Sequence, residues 1–114
     1  MLAVGVDLIE VSRIQRAVRR GGESFLRRVF TPAEVSYCRG RASELAARFA
    51  AKEAVAKALG VGMRMMAQDG INWRDVEVTG DSRGKPEVAL TGRAADRASE
   101  LGLNEWARMR LLLW

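Results

Sequence analysis

The pattern that most constrains the fold is a long helical segment predicted from Ser43 to Leu59. It combines many alanines, which favour helix, with apolar side chains that recur at helical intervals. Gly60 follows directly and is typical of a residue that ends a helix. The apolar residues of the segment are Leu45, Phe49, Val55 and Leu59. A chain of 114 residues built around such a helix fits one domain, residues 1–114, whose core needs no disulfide.

Three patterns in the first half of the chain predict shorter elements. Apolar residues alternate from Leu2 to Ile9, which predicts a β-strand that contains Asp7. Ser12 is expected to cap a short helix that ends at Gly21-Gly22. A second helix is predicted to start at Thr31-Pro32-Ala33-Glu34, because a capping threonine precedes a proline and a glutamate that can bond back.

The second half predicts a β-hairpin, a helix and a final strand. Val76 and Val78 indicate one strand, residues 80–85 a turn, and Pro86 to Leu90 the returning strand. Thr91 is expected to cap the helix, and the final strand is predicted from Met109 to Trp114. The helix residues expected to face inward are Ala94, Ala95, Ala98 and Leu101. The expected fold class is α+β, with a small, mainly antiparallel sheet packed against the long helix.

The composition excludes several functions. Histidine is absent, which removes imidazole-based nucleophile pairs and the usual zinc sites. Cys38 is the single cysteine, no leader pattern is visible, and no apolar run is long enough to cross a bilayer. We therefore expect a cytoplasmic protein with no membrane partner. The net charge of +5, from 19 basic and 14 acidic residues, suits a phosphorylated ligand or an acidic protein, although a genomic preference for arginine explains it equally well.

Two acidic residues are candidates for metal binding. Asp7 would be costly to bury as an isolated ion, so it needs a cation, or else the backbone hydrogen bonds available at a strand end. Glu53 and Lys57 lie one helical turn apart on a single face, where they could hold a metal and a phosphate together. The alternative for this pair is a surface ion pair worth about 0.2–0.5 kcal/mol.

Two glycine-containing turns are candidates for anion binding. Gly60-Val61-Gly62 leaves backbone N–H groups accessible, and Gly84-Lys85-Pro86 places a cation in a turn. Each segment has an ordinary structural interpretation as well, the first as a helix C-cap and the second as a hairpin tip.

Taken together, these segments resemble the short bacterial holo-acyl-carrier-protein synthases, a family of phosphopantetheinyl transferases. The resemblance extends over residues 3 to 106. It rests on Val4-Gly5-Val6-Asp7-Leu8-Ile9-Glu10 with Arg13 and Ile14, on Arg48-Phe49-Ala50-Ala51-Lys52-Glu53-Ala54 with Lys57-Ala58-Leu59-Gly60 and Gly62, and on Asp75-Val76-Glu77-Val78 with Gly84-Lys85-Pro86. It implies transfer of 4′-phosphopantetheine from coenzyme A to a serine of an acidic apo acyl carrier protein. It also implies a homotrimer with its active sites between subunits.

The resemblance further implies a role for individual residues. Asp7 and Glu53 match the ligands of a catalytic Mg²⁺, and Lys57 matches a lysine that meets coenzyme A phosphates. The remaining nucleotide contacts would come from Arg48, Gly60 and Gly62, and from Lys85 and Pro86 of a neighbouring subunit. The basic surface that receives the carrier protein would include Arg13, Arg16 and Arg20.

One segment departs from the family pattern. Family members continue after the last helix with a strand that contains Ser-x-Ser/Thr-His and then a further apolar strand, whereas this sequence stops after Trp106 to Trp114. A non-catalytic module that binds coenzyme A or a nucleotide is therefore the alternative function. Nucleic-acid binding is disfavoured, because no groove-reading motif and no stacking pattern of arginines and aromatics is present.

Overall fold

The structure, a computed structural model, describes residues 8–60, 70–80, 84–102 and 109–110. Its helices are α1 (Leu8–Val29), α2 (Pro32–Cys38), α3 (Ala42–Ala58) and α4 (Gly92–Glu100). Its strands are β1 (Val76–Gly80), β2 (Pro86–Leu90) and β3 (Met109–Arg110), with a short 3-10 turn at Trp73–Asp75. The strands form one antiparallel sheet in the order β1-β2-β3. The described part of the chain is thus α+β, as the sequence predicts.

Helix α1 differs from the sequence prediction at both ends. Leu8 and Ile9 belong to the helix, so the predicted first strand does not include them, and its residues 2–7 lie outside the described ranges. Ser12 lies inside the helix, so its predicted capping role is wrong. The chain does break its helical geometry at Gly22, where φ is +53° and ψ is −135°, but it then continues helically to Val29.

The continuation of α1 beyond Gly22 has a packing reason. Phe25 and Leu26 pack against the core, and Val29 is only 1% exposed. Burying these apolar side chains favours helix after the break, since buried area outweighs one unfavourable glycine. The glycine pair therefore produces a kink and does not end the helix.

Helix α2 begins with the predicted capping box. The Glu34 N–H donates to Thr31 Oγ1 at 3.3 Å, and the Thr31 N–H donates to Glu34 Oε1 at 2.9 Å. Pro32 takes the first helical position, where its missing N–H has no partner to lose. The predicted structural role of Glu34 is confirmed, because its side chain is fully buried.

Helix α3 matches the predicted long helix to within one residue at each end. Leu45, Val55 and Leu59 are buried, and Gly60 follows with a φ of +70°. The helix contacts α1 on one side and β1 on another, and it also contacts α2. It therefore connects the helical layer to the sheet.

The predicted hairpin is confirmed. Val78 of β1 pairs with Val88 of β2, and both side chains are fully buried against the helices. Strand β3 pairs with β2 through Met109 and Arg110, while the rest of the predicted final strand lies outside the described ranges.

Helix α4 buries Ala94 and Ala98 as predicted. Leu101 is 43% exposed, so the prediction that it faces inward is wrong. The reason is that the helix ends at Glu100, and Leu101 as its C-cap has left the buried face. In residues 8–60, 70–80, 84–102 and 109–110 no helix combines the length and the apolar character needed to cross a bilayer.

Candidate functional site

A groove between α1 and α3 brings together most of the basic residues predicted for α1. It has a volume of about 370 Å³, and its lining includes the guanidinium-bearing residues Arg13, Arg16 and Arg20. All three are exposed, because the apolar face of α1 with Ile14 turns toward the core. The groove also has aromatic walls, formed by Phe25, Phe49 and Trp73.

The aromatic wall is held by stacking. Phe49 of α3 lies against Trp73, with ring centroids 4.5 Å apart and an angle of 23° between the ring planes. The Arg13 guanidinium lies 5.9 Å from the centroid of the Phe49 ring, within the range of a cation–π contact. Trp73 is 5% exposed, so this aromatic wall is packed against the core of the protein.

Glu53 lies one helical turn after Phe49, in a cluster of charges shared by α1 and α3. Partial burial raises the pKa of its carboxyl, and the nearby Glu10 carboxylate raises it further, while Arg13 and Lys57 lower it. Arg13 also forms a 3.0 Å ion pair with Glu10. Glu53 is therefore a partly desolvated carboxylate that faces both another carboxylate and a guanidinium across the helix pair.

This arrangement fits a divalent cation. A cation near Glu10 and Glu53 would reduce the repulsion between their two carboxylates, and hard oxygen ligands suit Mg²⁺. Within the described ranges no three acidic, cysteine or histidine side chains converge on one point, so Glu53 and Glu10 alone do not complete a metal shell. Asp7, the other predicted ligand, lies outside the described residues.

The other predicted site residues are distributed over two regions. Lys57 is exposed on the Glu53 face of α3, and Gly60 is exposed just after that helix. Lys85 is exposed beside the hairpin turn, next to Gly84 with its φ of +80°, and Pro86 is buried at the start of β2. Gly62 lies outside the described ranges.

Arg48 is the predicted site residue that the structure treats differently. Its side chain is 1% exposed, and its Nη1 donates to Glu44 Oε2 at 2.9 Å. Its Nε donates to the Val78 carbonyl at 3.2 Å, and its guanidinium lies 4.6 Å from the Tyr37 ring centroid. These contacts favour a structural role over the predicted contact with nucleotide phosphates, because the guanidinium is already satisfied inside the chain.

Sequence reasoning missed two residues of this site. Glu10 is part of the motif Val4-Gly5-Val6-Asp7-Leu8-Ile9-Glu10, and its position three residues after Asp7 indicates a second carboxylate near the predicted metal ligand. Trp73 carried no such signal, because its role depends on stacking with a side chain 24 positions earlier in the sequence, which periodicity does not reveal.

Comparison with known proteins identifies the family of this chain. Residues 3–110 match the 4′-phosphopantetheinyl transferase superfamily. A holo-[acyl-carrier-protein] synthase of Herpetosiphon aurantiacus is 52% identical over 109 residues, which cover 94% of this chain and 86% of the relative. A holo-[acyl-carrier-protein] synthase of Roseiflexus castenholzii is 49% identical over 105 residues, which cover 91% of this chain and 77% of the relative.

Solved structures show the same likeness in three dimensions. The holo-[acyl-carrier-protein] synthase of Helicobacter pylori, solved in complex with coenzyme A, superposes with a TM-score of 0.66 at 30% identity, covering 75% of this chain and 71% of that chain. The synthase of Neisseria meningitidis gives a TM-score of 0.66 at 33% identity, covering 81% of this chain and 73% of that chain.

The superfamily match leaves only a few residues uncovered at either end, so this chain belongs to the 4′-phosphopantetheinyl transferases. At about half identity its relatives from three genera are holo-[acyl-carrier-protein] synthases, and the chain is a member of that enzyme family. The resemblance inferred from the sequence motifs is thereby confirmed. Neither the non-catalytic module nor a nucleic-acid-binding domain is favoured.

Proposed function

We propose that this chain transfers 4′-phosphopantetheine from coenzyme A to a serine hydroxyl of apo acyl carrier protein, with Mg²⁺ held by Asp7 and Glu53. The observation that carries the metal assignment is the partly buried Glu53 carboxylate of α3, which interacts electrostatically with Glu10 and Arg13 of α1. The family membership of the chain supplies the reaction, and the charged cluster of Glu10, Arg13 and Glu53 between α1 and α3 supplies a place for the metal.

The reaction exchanges one phosphate ester for another. The serine oxygen attacks a phosphorus of the coenzyme A pyrophosphate, the bond to the leaving phosphate breaks, and 3′,5′-adenosine diphosphate departs. When bound, Mg²⁺ neutralises negative charge on the pyrophosphate. Positioning and charge neutralisation account for most of the catalysis of such transfers, so the protein needs little covalent chemistry.

The side chains of this chain have separate tasks in that scheme. Glu53 would hold the cation, and the exposed ammonium of Lys57, one turn later, would offset charge that grows on the phosphates. The serine proton must leave as well. Because the chain contains no histidine, the proposed acceptor is a carboxylate such as Glu53 acting through a water molecule.

The groove between α1 and α3 is the proposed docking surface for the acidic carrier protein. Arg13, Arg16 and Arg20 line it together, and charge complementarity of this kind speeds encounter and fixes orientation. We further propose a cytoplasmic homotrimer, in which the turn with Lys85 and Pro86 completes the coenzyme A site of a neighbouring subunit. The exposure of Lys85 supports that arrangement, and the buried free thiol of Cys38 supports a reducing compartment.

A mass measurement tests the transfer. The protein is mixed with apo carrier protein, coenzyme A and Mg²⁺, and the carrier is weighed by mass spectrometry. We expect a phosphopantetheine mass increase that disappears with a chelator and falls at least about 100-fold in rate for Glu53→Gln. The matched control is Glu100→Gln, because the Glu100 side chain is 65% exposed on α4 and should leave the rate unchanged. Coenzyme A binding without any mass increase would refute the proposal.

The docking surface has its own test. Replacing Arg13 and Arg16 together by alanine should raise the apparent KM for the carrier protein, and the effect should shrink as salt rises, while coenzyme A binding stays intact. The control pair is Arg39→Ala with Arg74→Ala, which removes the same charge from residues that do not line this groove. Equal kinetics for the two double variants would refute the docking role.

A further inference from the structure

Lys52, the residue just before Glu53, is fully buried and fully bonded. Its Nζ donates to Glu34 Oε1 at 2.8 Å, to the Trp73 carbonyl at 3.0 Å, and to the Val76 carbonyl. An ammonium has three protons, so each has an acceptor. A buried ammonium is costly without partners, so the position of Lys52 depends on these acceptors and on the Glu34 carboxylate.

Glu34 extends this contact into a network that joins three elements. Its Oε1 also accepts from the Thr31 N–H at 2.9 Å, and its Oε2 accepts from the Val78 N–H at 2.9 Å. Both side chains of the ion pair are 0% exposed. The pair therefore connects the start of α2, the middle of α3 and strand β1 at one point.

Two buried cations on the same face of α3 reach the same strand. Arg48 donates to the Val78 carbonyl at 3.2 Å, and Lys52, one turn later, donates to the Val76 carbonyl. Two attachments in line along a helix fix its rotation about its own axis, whereas one attachment leaves that rotation less defined. Phe49 follows Arg48, and Glu53 follows Lys52. Each of these two residues lies about 100° further round the helix, on the side that faces α1.

We propose that Lys52 is a positioning residue for the transfer reaction: its bonds to Glu34 and β1 hold α3 rotated so that the Glu53 carboxylate faces α1. The proposal rests on the proposed function in that Glu53 holds the metal. A helix with side chains has a radius of about 5–6 Å, so a rotation of about 20° moves the carboxylate by about 2 Å. A misplacement of about 1 Å already reduces catalysis by about 100-fold in well-organised sites.

The test uses the double variant Glu34→Gln with Lys52→Met in the full-length protein. Changing both partners together removes the two charges at similar side-chain volume, so neither charge is left buried without its partner. The first readout is structural and needs no metal: the nuclear Overhauser contact between the Phe49 and Trp73 rings, which are 4.5 Å apart in the native protein. The second is Mg²⁺ affinity by calorimetry, and the third is kcat for transfer.

We expect the ring contact to weaken, the Mg²⁺ dissociation constant to rise at least about 5-fold, and kcat to fall at least about 10-fold. The control is Ala98→Gly on α4, a buried helix position whose change lowers the melting temperature without touching the α3 network. It should keep native Mg²⁺ affinity and kcat.

The proposal is overturned if the double variant keeps the native ring contact and Mg²⁺ affinity and loses only melting temperature, as the control does. It is equally overturned if the ring contact changes but Mg²⁺ affinity and kcat do not. Failure of the proposed function looks different, because wild-type protein and Glu53→Gln would then bind Mg²⁺ equally well.

Discussion

Replacing Glu34 by alanine is the perturbation whose stability effect the structure defines best. The variant leaves the Lys52 ammonium buried without its carboxylate, and it removes the acceptor from two backbone N–H groups, those of Thr31 and Val78. Breaking a buried ion pair from one side costs about 3–5 kcal/mol, since the remaining charge is uncompensated. Each orphaned buried donor would cost about 1–3 kcal/mol by itself, but these effects overlap.

We therefore expect Glu34→Ala to lower the free energy of unfolding by about 4 kcal/mol. Both partners are 0% exposed, so solvent screening does not reduce this figure. Domains of this size have total stabilities of about 5–15 kcal/mol, so the loss is a large fraction of the total. At about 4 °C for each kcal/mol, the melting temperature should fall by about 16 °C.

The assay is urea unfolding followed by circular dichroism, with calorimetry for the melting temperature. Glu100→Ala is the matched control, because Glu100 also pairs with a cation, Arg97, at 3.1 Å, but on the surface. That pair is worth at most about 1 kcal/mol. If Glu34→Ala costs no more than Glu100→Ala, the buried network does not stabilise the fold.

Three further outcomes follow from particular residues. Partial burial raises the pKa of Glu53 above its ordinary value of 4.5, so ionisation of this carboxyl disfavours the folded state, and its contribution to stability is lost as pH rises through the folded pKa. Metal-free Glu53→Gln should therefore be more stable than the wild-type protein at pH 7 but not at pH 4. Urea unfolding at both pH values measures this difference. Burial raises the pKa of the Cys38 thiol, so a thiol reagent should label it only on unfolding, and rapid labelling of native protein would contradict the buried position. Gly92→Ala should destabilise the protein by about 1–2 kcal/mol or more, because φ is +51° and the new Cβ would lie 2.9 Å from Asp75 Oδ1. Gly102→Ala is the control, since its φ is +77° but no atom lies within 4 Å of the new Cβ. Calorimetry should show a smaller loss of stability for Gly102→Ala.

Local patterns predicted most of the elements. The capping box at Thr31 and Glu34, the helix from Ala42 to Ala58 and the hairpin of β1 and β2 follow from short-range rules of capping, periodicity and turns. These rules depend on residues a few positions apart, which the sequence shows directly. The same holds for the shared face of Glu53 and Lys57.

Patterns of this kind did not predict where the charged residues of α3 point. Arg48 and Lys57 are both cations on one helix, yet Arg48 is buried and Lys57 is exposed. The face of α3 that contacts β1 depends on the packing of elements far apart in sequence. A buried cation is stable only if hydrogen-bond acceptors lie within reach of it. Glu44 and the Val78 carbonyl provide those acceptors for Arg48.

Helices α2 and α3, the hairpin and the family motifs follow from the amino-acid order, because each depends on neighbours along the chain. Three features depend instead on how the elements pack: α1 continues past Gly22, Lys52 is buried against Glu34, and Phe49 stacks on Trp73. These features depend on which surfaces meet when the helices close on the sheet. Burial and long-range contacts set their free energy, and no local pattern records either of them.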